Sequence, residues 1–146
     1  MPSEDAGPAG EFWTRPLLRV RNLQDSLRYY RDRLGFVDDW IDGTSSPPTC
    51  AQVSRNGVTV ILDERAYFPK AALPSVLSVT LNDAVEAPAL DALHRELLAS
   101  GATIRRAPFK VVWDEHVHEL DVEDPDGNVL AFWGYMPRAG GARSGP

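Results

Sequence analysis

Asp124-Pro125-Asp126-Gly127-Asn128, near the carboxyl end of this 146-residue chain, is the stretch that decides the fold. Proline presets φ early in a turn, glycine takes a position with positive φ, and Asp and Asn side chains bond the neighbouring backbone. The stretch lies between two β-rich segments, so it predicts a tight hairpin. A weaker version, Arg55-Asn56-Gly57, occurs about 70 residues earlier and predicts a type I′ turn.

The two hairpins belong to an internal repeat. In each half a strand pattern leads to a helical pattern that ends at a glycine, Gly35 or Gly101, and three more strand patterns follow. The strands are predicted at 16–21, 36–42, 49–54, 57–63, 76–82, 103–108, 116–123 and 128–135. The repeat predicts an α+β fold of two βαβββ modules that form curved mixed sheets around a concave cavity, with both helices on the convex side.

Both helices have clear boundary signals. Asn22 is a good N-cap for the first helix, and Pro88 suits the first turn of the second. Apolar residues recur at helical spacing: Leu23, Leu27, Tyr30 and Leu34 in the first helix, and Leu90, Leu93, Leu97 and Leu98 in the second.

Composition narrows the class of protein. A net charge of −6 argues against nucleic-acid binding, whose proteins carry basic patches. The single cysteine, Cys50, excludes an internal disulfide and indicates a cytoplasmic location. No apolar run approaches 18 residues, which argues against a membrane span. We expect a mobile tail or arm at 1–11, a single domain at 12–137 (modules at about 12–68 and 74–137), and a disordered tail at 138–146.

Three stretches together resemble one known family. They are Leu18-Arg19-Val20-Arg21-Asn22, the run from Ser26 to Phe36 that contains Tyr29-Tyr30-Arg31-Asp32, and the closing Asp124-Pro125-Asp126-Gly127-Asn128. The chain resembles the vicinal oxygen chelate superfamily, which includes glyoxalase I, extradiol dioxygenases and bleomycin-resistance proteins, over nearly the whole folded unit. The resemblance is specific for the superfamily, and it selects no single activity because one fold hosts many functions.

Catalytic members of that superfamily hold a metal at four positions, which correspond here to Arg15, Ile61, Val76 and Ala131. None of these side chains binds a divalent cation, which needs imidazole, carboxylate or amide oxygen. We therefore expect no metal at these positions and no cofactor. The resemblance is closest to the metal-free bleomycin-resistance type.

That branch implies a homodimer that binds a bulky cationic drug in a groove between its subunits. It also implies an exchanged N-terminal arm that hinges at a proline, which Pro16 matches. An aromatic residue of the second strand matches Trp40. A tryptophan before the seventh strand matches Trp113 approximately, with His116 nearer the aligned position.

Strand alternation predicts which residues of the last two strands face the groove. Leu120 and Val122 are expected to face a helix, which places Glu119, Asp121 and Glu123 on the concave face. Four residues of the last strand share the face of the absent metal ligand: Val129, Ala131, Trp133 and Tyr135. Carboxylates mixed with large aromatics suit a flat cation. The alternative is that Arg15, Arg19 and Arg21 pair with the acids and that Trp133 is interface core.

Two functions from different classes therefore stay open, with a regulatory or interaction module as a weaker third. The first is non-catalytic sequestration of a small cationic or planar molecule, such as a bleomycin-type antibiotic, and we favour it over an enzyme. The second is a lyase, isomerase or dioxygenase-like enzyme without the usual metal ligands, with His116, Glu119 or Tyr135 as acid or base. A metal at His116 and His118 would need a third ligand from elsewhere. The candidate ligand-binding residues are Trp40, Trp113, His116, Glu119, Asp121, Trp133 and Tyr135.

Overall fold

Alternating core residues in the strands and apolar stripes on the helices produce the repeated arrangement that the sequence predicts. The computed structural model describes residues 12–65, 74–81 and 89–135. Its elements are β1 (Leu17–Arg19), α1 (Leu23–Asp32), β2 (Val37–Ile41), β3 (Cys50–Arg55), β4 (Val58–Asp63), β5 (Val76–Thr80), α2 (Ala89–Ser100), β6 (Thr103–Lys110), β7 (Val117–Glu123) and β8 (Val129–Tyr135). The expected tails at 1–11 and 138–146, and the residues around Pro88, lie outside the described residues.

The sheets have the same topology in both modules. The first has the strand order β1-β4-β3-β2 and the second the order β5-β8-β7-β6. In each, the first pair is parallel and the other two pairs are antiparallel. The predicted α+β fold of two βαβββ modules with mixed sheets is confirmed.

Helix α1 begins and ends where its signals indicate. The side chain of Asn22 accepts a hydrogen bond from the backbone N–H of Asp25 at 3.0 Å, and Gly35 adopts a φ of 75°. The predicted stripe Leu23, Leu27, Tyr30 and Leu34 is buried.

Helix α2 corrects one prediction. Leu90 and Leu97 are buried, whereas Leu98 is 55% exposed. Leu90 and Leu97 are seven positions apart and share one face, but Leu98 lies a further 100° around the helix. Gly101 ends the helix with a φ of 81°.

Both predicted hairpin turns are present. Asn56 and Gly57 have φ values of 47° and 84°, the signs that a type I′ turn requires. In the second turn, the N–H of Asp124 donates to the carbonyl of Asn128 at 2.8 Å, and Gly127 has a φ of 81°.

Strand ends differ from the predictions by at most two residues. β1 stops at Arg19 instead of residue 21, because the backbone N–H of Arg21 donates to the carboxylate of Asp126 at 2.9 Å. β6 continues to Lys110 instead of stopping at 108, since the bulge between Arg106 and Phe109 accommodates Pro108. β7 starts at Val117 because the N–H of His116 donates to Asp114 in a turn.

The Asp-Pro-Asp-Gly-Asn turn also joins the modules. The Tyr30 hydroxyl donates to the Asp124 carboxylate at 3.0 Å, and the Tyr29 hydroxyl donates to the carbonyl of Glu123 at 2.6 Å. The side-chain amide of Asn128 donates to the carbonyl of Arg19 at 3.1 Å. Buried residues of both modules form one core. The paired tyrosines of α1 and the turn motif therefore depend on each other.

Candidate ligand-binding site

The outer face of the second sheet, the side turned away from the core, carries most of the predicted site residues. Leu120 and Val122 are buried in the core, so the alternate residues of β7 point outward. Strand register arranges two rows across this face: Arg106, Asp121, Ala131 and Ser78 in one, and Phe109, Glu119, Trp133 and Thr80 in the other. These rows bring carboxylates, arginine and aromatic rings side by side.

Two tryptophans form the aromatic part of this face. The Trp113 ring, in the loop before β7, lies 5.2 Å from the Trp133 ring at an interplanar angle of 58°. Trp113 is 58% exposed. The indole N–H of Trp133 donates to the Glu119 carboxylate at 2.8 Å, which fixes both side chains. The pair therefore presents an accessible ring beside an anchored charge.

Tyr135 has a different environment from the tryptophans. It is buried with Val111 and Val117 in a small cluster, against which Phe109 and Trp133 pack. Tyr135, a predicted ligand-binding residue, is thus buried behind Trp133 and contributes packing to the site.

Asp121 is the electrostatically unusual group of the face. Desolvation, followed by the hydrogen bond with Glu119 and the charge of Glu119, raises its pKa to about 6, while Arg105 and Arg106 act in the opposite direction. Among the described residues, its buried Oδ1 atom has no hydrogen-bond partner. A carboxyl with a pKa near 6 changes charge close to physiological pH.

Strand β6 contributes residues that the sequence analysis missed. The guanidinium carbon of Arg106 lies 3.5 Å from the centre of the Phe109 ring. Arg106 and Phe109 are three positions apart, so they would face opposite sides of a regular strand. Bulges between Ile104 and Arg106 and between Arg106 and Phe109 break this alternation, and both residues lie on the outer face. Pro108 within a strand was the available signal, because proline in a sheet favours a bulge or an edge.

The arginines expected to neutralise the acids bind elsewhere in two cases. Arg15 donates to the Gln52 side chain at 2.7 Å, and Arg21 forms an ion pair with Asp126 at 2.9 Å. Arg105 of β6 approaches Glu123 instead, at 3.8 Å.

Trp40 lies on the first sheet, whereas Trp113 and Trp133 lie on the second. It is exposed and stands opposite Gln52 in the register. A cleft of about 810 Å³ is lined by residues of both sheets, including Gln52, Ser78 and Thr80, and by Phe12–Pro16, which precede β1. None of the seven predicted ligand-binding residues lines this cleft.

His116 lies in the same loop as Trp113. Its Nε2 atom is 3.4 Å from the Glu115 carboxylate. His118 is on β7, opposite Gly134 and Lys110. In the part of the chain that the structure describes, no group of three or more His, Cys, Asp or Glu residues could hold a metal ion.

The four superfamily metal positions do not suit a divalent cation. Ile61 lies opposite Gln52, and Ala131 lies opposite Asp121. Arg15, Ile61, Val76 and Ala131 offer a cation and three hydrocarbon side chains, which supply no metal donor. No step of a metal mechanism is therefore assigned to these residues.

No helix within the described segments is long and apolar enough to cross a membrane.

Solved structures with similar folds are numerous and distant in sequence. A bleomycin-binding protein complexed with bleomycin is 19% identical, with a TM-score of 0.64 over 84% of this chain and 98% of that one. The bleomycin resistance determinant of transposon Tn5 is 19% identical, with a TM-score of 0.65 over 84% and 97%. TioX from Micromonospora sp. ML1 is 15% identical, with a TM-score of 0.65 over 85% and 100%. At these identities the likeness shows the fold alone.

A search of curated proteins gave no match. The family model described as Glyoxalase/Bleomycin resistance protein/Dioxygenase superfamily matches residues 13–132, most of the chain. The repeated βαβββ modules agree with that match, and the chain belongs to this superfamily.

Proposed function

We propose that the protein binds and sequesters a flat, cationic small molecule, such as a bleomycin-type antibiotic, without turning it over. The observation that carries the proposal is the Trp113–Trp133 pair beside the anchored carboxylate of Glu119. An exposed ring offers stacking, and adjacent carboxylates offer ion pairing to a cation.

Asp121 strengthens the preference for a cation. Above pH about 6 it adds a second negative charge next to Glu119. A bound cation would relieve the repulsion between the two carboxylates. A neutral ligand cannot do so.

The structural comparisons support this class of ligand. A protein of similar fold is known in complex with bleomycin, and a second is a bleomycin resistance determinant. We propose the same kind of role here, in the cytoplasm, where sequestration would protect a cell from the drug.

We further propose that the groove is completed by a second copy of the chain. Trp40 lies on the first sheet and is exposed, as an aromatic wall of such a groove would be. Apposition of the first sheet of one copy with the second sheet of its partner would place Trp40 opposite Trp113 and make both residues part of one site.

Tryptophan fluorescence during titration with bleomycin tests the proposal. We expect saturable quenching, weakened in Trp113→Ala by about 5- to 150-fold in affinity, the usual value of one stacking aromatic. Leu98→Ala is the control, because Leu98 is a large apolar residue that is 55% exposed but lies on α2. Unchanged affinity in Trp113→Ala, or the absence of quenching in the parent protein, would contradict the proposal.

An enzyme is the second candidate, and Asp121 is the observation that favours it. A carboxyl with a pKa of about 6, adjacent to another carboxylate, suits a general acid or base. Glu119 is the other candidate group beside it, and His116 lies in the loop before β7. Chemical analysis of the compound recovered after prolonged incubation with the protein separates the two candidates: intact compound supports sequestration, and a product supports catalysis.

A further inference from the structure

We infer that Arg106 occupies the position of a cationic ligand on the outer face and must be displaced when such a ligand binds. The inference rests on the proposed function and adds a residue that determines specificity. The guanidinium carbon of Arg106 lies 3.5 Å from the centre of the Phe109 ring, and Arg106 stands opposite Asp121 in the strand register.

These two neighbours are the groups that a flat cation would seek. A ring face attracts a cation through its negative quadrupole, and a carboxylate attracts it through charge and hydrogen bonds. Arg106 places a planar cation over the Phe109 ring, and its charge also acts on Asp121. The bulges on either side of Arg106 allow it and Phe109 to lie on the same face although they are three positions apart.

The charge of Arg106 acts at the same place. Arg105 and Arg106 both lower the pKa of Asp121, against the larger effects of desolvation and of Glu119. Arg106 therefore already compensates part of the negative charge that a ligand would use. A cationic ligand gains only the difference between its own interactions and those it replaces.

This competition makes Arg106 selective. A neutral flat molecule can stack on Trp113 without displacing the guanidinium, so removal of Arg106 would affect its binding little. A compact cation competes directly with Arg106 for Phe109 and Asp121. A large ligand that combines stacking with charge gains enough contacts to move the arginine aside.

A matched pair of small probes tests the inference: benzamidinium, a flat cation, and benzamide, its neutral counterpart. Binding is measured by NMR through the indole N–H resonance of Trp133, which reports on the hydrogen bond with Glu119. We expect Arg106→Ala to bind benzamidinium about two- to fivefold more tightly, the change expected when one exposed cation–π contact no longer competes. Benzamide affinity should change less than twofold, and Arg106→Lys should lie between Ala and the parent.

Arg105→Ala is the matched control. It removes the same charge from β6, and Arg105 pairs with Glu123 at 3.8 Å instead of covering a ring. Equal tightening in Arg105→Ala would assign the effect to net charge and overturn the inference. An unchanged or weaker affinity in Arg106→Ala would overturn it too, as would undetectable benzamidinium binding by that variant. The proposed function is judged separately, by bleomycin and Trp113→Ala.

Discussion

Asp124 shows how one buried charge can hold two modules together. Its carboxylate is buried and accepts hydrogen bonds from the Tyr30 hydroxyl, the Asn128 side chain and two backbone N–H groups. Burial nevertheless raises the pKa of Asp124, because desolvation outweighs these bonds. Loss of any one of these hydrogen-bond donors would therefore leave the desolvation of the buried carboxylate less compensated and destabilise the fold.

Tyr30→Phe removes one of those donors and keeps the ring packed against Phe36. Loss of a buried hydrogen bond to a charged group costs about 2 kcal/mol, which for a chain of this size lowers the melting temperature by roughly 4–8 °C. Thermal unfolding followed by circular dichroism measures it. Tyr29→Phe is the control: its half-buried hydroxyl also bridges the modules, and water can replace it, so its loss should be smaller. Equal losses would show that burial of the carboxylate is not the cause.

The protonation of Asp121 makes the stability of the fold depend on pH. Its pKa in the folded protein is about 6, against 3.8 for an unperturbed Asp, so folding favours the protonated form. That contribution is fully present below pH 3.8 and is lost as the pH rises through 6. The charged form, which a cationic ligand needs, is the one that the fold tolerates less well.

Asp121→Asn should therefore raise the melting temperature at pH 8 and change it little at pH 4. The amide keeps the shape of the carboxyl and removes the repulsion with Glu119. The same variant should weaken binding of a cationic ligand at pH 8, since one charge of the site is gone. Melting curves at the two pH values measure the first effect. A variant less stable at pH 8 than the parent would show that the carboxylate is favourably paired.

At the scale of elements, the β3–β4 hairpin needs a glycine at position 57 for its backbone conformation and not for lack of space. Gly57 has a φ of 84°, and a Cβ placed there would meet no atom within 4 Å. Gly57→Ala should therefore cost about 1–2 kcal/mol, the strain of a left-handed residue, without any clash. Gly43→Ala is the control, because that position is equally open and lacks the positive φ. Urea denaturation compares the two; a similar effect of both substitutions would exclude strain as the reason.

The elements also show what local sequence can predict. Asn56-Gly57 and the Asp-Pro-Asp-Gly-Asn turn were predictable because their φ requirements are met by few residue types. The predicted burial of Leu98 was wrong because Leu97 and Leu98 are adjacent apolar residues, and only Leu97 shares the buried face of α2 with Leu90. Arg106 and Phe109 were missed because bulges shift the alternation, and bulges arise from pairing with another strand. The candidate site was thus predicted on β7 and β8, where alternation is regular, and not on β6.

At the scale of the whole molecule, exposed apolar side chains are concentrated away from the helices. Large exposed hydrophobic residues of the described segments are Phe12, Trp13, Val37, Trp40, Ile41, Val76, Leu98, Val112 and Trp113. Only Leu98 belongs to a helix. A contiguous apolar surface marks a protein interface. The exposed apolar residues of the strands and their loops are therefore the candidates for the interface of the proposed homodimer.

We expect the protein to be a homodimer at micromolar concentration, and Val76→Glu to weaken dimerisation by on the order of tenfold or more. Val76 is 69% exposed and lies at the start of β5 on the outer face, opposite Val129. Burial of an unpaired carboxylate at an interface costs more free energy than the valine contact gains. Light scattering over a dilution series measures the change in mass. Because the proposed groove needs both copies, bleomycin affinity should fall together with dimerisation.

Leu98→Glu provides the control for that prediction. Leu98 is 55% exposed, a fraction comparable to that of Val76, but it lies on α2. The same new charge there should leave both the mass and the bleomycin affinity unchanged, because the helices are not part of the proposed interface. A monomeric parent protein would contradict the dimer itself. Dissociation by Leu98→Glu instead of Val76→Glu would place the interface on the helices and leave the two outer faces unpaired, so that Trp40 and Trp113 could not share one groove.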